Sequence, residues 1–197
     1  MSRSCQERQM SPRPRIHLAA ILSTILLMPT FSFGAETAEN PTYRNWSKFK
    51  PKTSVKYKNT NKTKVMGNEI TSESEVIMTL IEVSDNKVVI EYSTVTKING
   101  QEFKAPPTKQ EYPKTIALKA GQTRESVRKP DSVFEEGIET IKVTAGEYDT
   151  KWHKSRVEDR VLQSWVSDNV PGSLVKSVTT SDKTGTNVME LVEVKKP

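Results

Sequence analysis

Residues 70–83, ITSESEVIMTLIEV, alternate in character with a period of two. One parity reads Ile70, Ser72, Ser74, Val76, Met78, Leu80, and the other reads Thr71, Glu73, Glu75, Ile77, Thr79, Ile81, Val83. That period belongs to a strand and not to a helix. The first half is apolar on one parity only. The second half is apolar on both, which predicts that something covers the second face of the sheet there.

The rest of the chain agrees with this reading. Residues 36–197 hold 19 Val, 8 Ile and 19 Thr, against 5 Leu and 5 Ala. That imbalance disfavours a helical bundle and favours pleated, half-buried surfaces. Apolar side chains number 51 in this stretch, enough for one modest core and hardly for two.

The first residues read differently. Arg3, Arg8, Arg13 and Arg15 precede the apolar run of residues 18–28 (LAAILSTILLM); Pro29 and the small residues around Gly34 follow. Positive, apolar, small is the order of a secretory leader, and the run is too short for a membrane span of about 20 residues. The expectation is a signal peptide over residues 1–34, cleaved near Gly34, and an exported protein, periplasmic or secreted, whose mature form is not transmembrane. Cys5, the only cysteine, lies before the apolar run, where it cannot serve as a lipid-attachment site. The mature chain then has no thiol, so disulfides, cysteine nucleophiles and cysteine–metal sites are excluded. Its net charge is +3, half the +6 of the whole chain.

Residues 35–53 read as an N-terminal extended segment, punctuated by Pro41 and Pro51, with Tyr43, Trp46 and Phe49 available to dock on a core. Residues 54–197 read as a single antiparallel β domain. Strand signals occur at residues 54–59, 70–83, 87–98, 101–104, 139–143, 148–156, 160–167, 174–180 and 187–195, joined by short turns such as Ser84-Asp85-Asn86, Asn99-Gly100 and Val170-Pro171-Gly172. Short connections without crossover helices imply antiparallel neighbours. Pro106, Pro107 and Pro113 make residues 105–113 edge or loop. Residues 120–138 are the least strand-like, with a short helix expected near 123–127 or 132–136. About eight or nine strands in one sheet must curl or split, giving a barrel, a half-barrel or a sandwich.

Catalytic groups are sparse. His153 is the one histidine beyond the leader, on the polar parity of its strand, and no triad, phosphate loop or dinucleotide fingerprint is present. No catalytic residue, metal ligand or cofactor is nominated, and the chain is expected not to be an enzyme. Two binding readings are open. Apolar residues Val76, Met78, Leu80, Ile90, Tyr92, Trp152 and Trp165 are the candidates for a lipid or other hydrophobic ligand. Residues 44–64 carry eight Lys and Arg and no acid. Within them Lys48, Lys50, Lys56 and Lys58 are the candidates for a polyanion or an anionic envelope surface. Lysine also protects sheet edges. At +3, nucleic acid is not an expected partner.

The run 165–176 (WVSDNVPGSLVK), the hairpin Val143-Thr144-Ala145-Gly146 followed by Trp152, and the closing strand 188–192 (VMELV) resemble exported bacterial proteins of the LolA-like group, the lipoprotein carriers and their relatives. The resemblance covers mainly residues 139–195. It implies a single curved antiparallel sheet forming a half-open barrel, with at most one or two short helices. It also implies a concave apolar face able to take an apolar or amphipathic ligand, over which residues 120–138 would form a lid.

Overall fold

The structure, a computed structural model, describes residues 36–65, 68–98, 101–128, 132–181 and 185–197. The leader and the Asn99-Gly100 turn lie outside the described residues.

A period-two chain folds as that period demands. Strands β1 (Thr37–Glu39), β2 (Ser54–Val65), β3 (Asn68–Val83), β4 (Lys87–Ile98), β5 (Gln101–Lys104), β6 (Thr108–Pro113), β7 (Thr115–Ala117), β8 (Val133–Val143), β9 (Gly146–Val157), β10 (Arg160–Val166), β11 (Leu174–Ser181) and β12 (Gly185–Lys195) are joined by two short helices, α1 (Pro41–Trp46) and α2 (Arg124–Arg128). β1 and β7 form a small ribbon. The others make one ten-stranded sheet in the order β5-β4-β3-β2-β12-β11-β10-β9-β8, with β6 also on β4. Every pairing is antiparallel. The expected mainly β fold with a single large sheet is what forms.

The sheet does not close, because β8 and the β5/β6 side are free edges. It does curl. The β8–β9 hairpin lies four places from β12, yet Ala145 donates its N–H to the Leu191 carbonyl at 3.3 Å and Thr144 donates to the Glu190 carboxylate. Only a coiled sheet brings those strands together.

One core lies beneath the sheet. Val55, Tyr57, Leu80, Val88, Ile90, Val175 and Leu191 fill it, with Val143 from the hairpin and Val170 from the corner before β11. Residues 35–53 are not extended throughout. Asn40 accepts the Thr42 N–H at 3.0 Å and Pro41 opens α1, a side-chain cap and a preset φ that together start a helix. That one turn drives Trp46, 1% exposed, and Tyr43 into the core. The Tyr43 hydroxyl donates to Ser84 and Asp85 carbonyls in the β3–β4 turn.

Three expectations are corrected. Among the described residues no layer covers the second face of β3 at Ile81. A bulge between Leu80 and Glu82 turns Ile81 outward, and it is 40% exposed. The short helix expected in residues 120–138 forms at the first of its two alternative places, as α2, but the rest of the segment differs. Residues 133–138 extend β8, whose strand runs far longer than residues 139–143 suggested. α2 packs beside β1 and Arg124 donates to the Thr37 carbonyl at 3.1 Å, so it sits on the small ribbon and is no lid over the sheet.

Candidate functional site

The register sorts the candidate apolar residues into three groups. Leu80 and Ile90 face each other across β3 and β4 with no exposure, in packed core. Val76, Met78 and Tyr92 lie beside them on the same face, where β3 and β4 run past the core. These three line a cleft of about 360 Å³. Its other walls are Trp46 and Thr42 of α1, Tyr57 of β2, Leu174 of β11 and Met189 of β12. Tyr57 is fixed there by a hydrogen bond from its hydroxyl to the Leu174 carbonyl at 2.9 Å. Burial pushes its phenol well above the ordinary value. Tyr92 is raised in the same direction, by burial first and then by its hydrogen bond with Tyr112.

Trp152 and Trp165 are elsewhere. They pair across β9 and β10 on the face that also carries Lys176 and Glu190. Trp165, a candidate for an apolar ligand, is turned away from the cleft. Instead its Nε1 donates to the Glu139 carboxylate. Trp152 lies flat on Gly137, where a Cβ would stand 2.8 Å from the indole, and Lys154 Nζ covers it at 5.5 Å from the ring centroid. An indole with backbone on one side and an ammonium on the other offers no open platform.

The cleft owes its shape to the corner before β11. Gly172 has φ of 77°, as the Pro-Gly turn requires, and its missing Cβ leaves room for the Trp46 indole, which would stand 3.0 Å away. Ser173 follows at φ of 62° and accepts a hydrogen bond from Asn45 at 2.8 Å, tying α1 to the corner. A larger polar cavity of about 730 Å³ opens on the other side of Asn45, between Arg44, Lys151, Asp149 and Asp168. The Pro-Gly signal was visible in the sequence. The role of Trp46 as a cleft wall was not, because nothing local says where a docked helix will lie.

The basic candidates are mostly answered by carboxylates. Lys56 meets Glu75 at 2.8 Å, Lys58 meets Glu73 at 2.8 Å, and Lys48 meets Asp168 at 3.5 Å. Lys50 is exposed. The hydrogen bond to Lys56 holds Glu75 below the usual carboxylate range and raises Lys56 in return. Residues 44–64 look uniformly positive only along the chain; across the strands the charge alternates. His153 is half-buried, opposite the buried Ser164 on β10 and Glu136 on β8, and not simply in water. Among the described residues no helix is long and apolar enough to cross a membrane.

The chain matches no family model and no curated protein. Several solved structures are similar to it. A protein from Bacteroides fragilis NCTC 9343, provisionally described as exported and as having a YmcC-like fold, aligns at 10% identity over 75% of this chain and 97% of its own, with a TM-score of 0.38. A protein from Parabacteroides distasonis ATCC 8503, provisionally described as a lipoprotein, aligns at 14% identity over 77% of this chain and 98% of its own, with a TM-score of 0.41. At these scores the likenesses carry no argument about function.

Proposed function

We propose that the protein is an exported, non-catalytic β domain that holds an apolar or amphipathic ligand in the cleft between α1 and the sheet. The observation that supports this is the cleft itself. Val76, Met78, Tyr92 and Met189 stand half-buried around about 360 Å³ of space, beside a buried core in which Leu80, Val88, Ile90, Val175 and Leu191 have no exposure. That volume is at the lower end for small-molecule sites, and apolar walls with a few polar groups at the rim are their usual lining. Asn45 and Thr42 supply the polar rim. The leader of residues 1–34 supports export. The scattered acids and the single histidine beyond the leader support binding without chemistry.

The test is native mass spectrometry of the purified chain, followed by titration with dodecanoate. One bound equivalent is expected, and Val76→Trp, which fills the cleft from its floor, should weaken binding by at least about tenfold, the loss of roughly 1.4 kcal/mol. Dodecanoate binding that Val76→Trp leaves intact would end this reading.

A further inference from the structure

Past the core, the face that carries Tyr57, Val76 and Met189 continues toward the far ends of the strands. There it changes character. On β2 Tyr57 is followed by Asn59 and Asn61; on β3 Ser72 and Ser74 precede Val76. On β12 Asn187 precedes Met189, and on β11 Ser177 and Thr179 lie opposite these two. Along β2, β3, β4, β11 and β12 no Asp, Glu, Lys or Arg stands on this face among the described residues. The reverse face of the same strands carries Lys56, Lys58, Glu73, Glu75, Lys176 and Glu190.

This segregation needs a cause. A face that only meets water has no reason to exclude charge, as the reverse face shows. A face meant for burial would be apolar. Amides and hydroxyls without charge match a partner that is itself uncharged and rich in hydroxyl groups. Each amide both donates and accepts, and an ionic group here would be desolvated with no counter-charge to meet. The groups stand on a grid of about 4.8 Å across strands and about 6.8 Å along alternate residues. Asn187 donates to Asn59 at 2.8 Å, which orients both amides. Asn61, Ser72, Ser74, Ser177 and Thr179 have no side-chain partner among the described residues. A hollow of about 360 Å³ opens onto Asn61, Thr179 and Asn187, with Arg160 the one cation among the described residues at its rim. The register sets Phe103, 54% exposed, on the same face opposite Thr96. An exposed ring beside a field of hydroxyls can pack against the C–H face of a sugar.

We propose that this neutral face binds an uncharged glycan, a polymer of neutral hexoses. The inference stands apart from the apolar cleft and does not depend on it. Single hydroxyl contacts exchange with water and add little, so affinity comes from several at once.

The experiment titrates the full chain, purified as the cell exports it, with maltohexaose, cellohexaose and laminarihexaose, and with hexagalacturonate as the charged control. At least one neutral hexasaccharide should bind and shift the side-chain amide resonances of Asn61 and Asn187. Hexagalacturonate should bind at least about tenfold more weakly, and Asn61→Ala should cost about tenfold in affinity. Lys58→Gln, on the reverse face, should change nothing. The proposal is overturned if none of the three neutral sugars binds, if the acidic sugar binds as tightly, or if binding survives Asn61→Ala with the Asn187 resonances unmoved. Dodecanoate binding is measured on the same sample, so the two sites succeed or fail separately.

Discussion

Tyr57 joins two demands in one side chain. Its ring fills the core beside Leu191, and its hydroxyl satisfies the Leu174 carbonyl at 2.9 Å. Tyr57→Phe should therefore cost about 1 kcal/mol in urea unfolding, the usual net worth of such a bond. The raised phenol adds a pH dependence. A proton held more tightly in the folded state stabilises fully below the unfolded value of 10.0, and that contribution is lost as pH rises toward the folded value. Stability should fall above pH 10.0, and Tyr57→Phe should flatten the fall; unfolding followed between neutral pH and strong alkali decides it. Gly137 and Gly172 are constrained by neighbouring indoles. A methyl at Gly137 would stand 2.8 Å from Trp152, so Gly137→Ala should destabilise by about 1–3 kcal/mol, read as a lower denaturation midpoint.

Among the elements, α1 is the smallest and the most consequential. It exists because Asn40 caps it and Pro41 begins it, and it places Trp46 at 1% exposure. Asn40→Ala should cost about 1 kcal/mol, while Trp46→Ala should cost about 3–5 kcal/mol and collapse the cleft it walls. Comparing both variants for stability and for dodecanoate binding separates the helix from its anchor. The strands β2 and β3 are held in register by charge as well as by packing. Lys56–Glu75 and Lys58–Glu73 form successive diagonal pairs on one face, with Lys58 also directly opposite Glu75. A one-residue slip would bring these side chains to the core face. Exposed pairs are each worth at most about 1 kcal/mol, so Glu75→Lys alone should destabilise slightly and Lys56→Glu with it should restore part of the loss, since Lys58 still stands opposite position 75, more so at low salt. The lowered Glu75 makes its share present above pH 4.5 and lost as pH falls through the folded value. These diagonal pairs are why a lysine-rich segment in the sequence did not become a free basic surface.

At the scale of the molecule, the open sheet leaves β8 as an unpaired edge carrying Ile138 at 80% exposure and Phe134 at 54%. Glu135, Glu136 and Glu139 on the same strand discourage a second chain from pairing there. Ile138→Lys should raise the concentration at which the protein remains monomeric, measured by light scattering. Much of this architecture was legible beforehand. Period-two alternation, the excess of Val, Ile and Thr, and turns built from Ser-Asp-Asn or Pro-Gly are local properties, set by pleat geometry and backbone sterics within a few residues. They determined a thiol-free antiparallel sheet from residue 54 onward, and the parity of residues 70–80 already held Val76 and Met78 on one face. The apolar cleft and the uncharged face depend on which strands become neighbours. Asn59 and Asn187, or Tyr57 and Leu174, are more than 100 residues apart in the chain. The pairing of β2 with β12 and of β12 with β11 puts them in contact, and the docking of α1 adds Trp46, because side-chain packing between distant segments is a sum of weak terms that no local stretch contains.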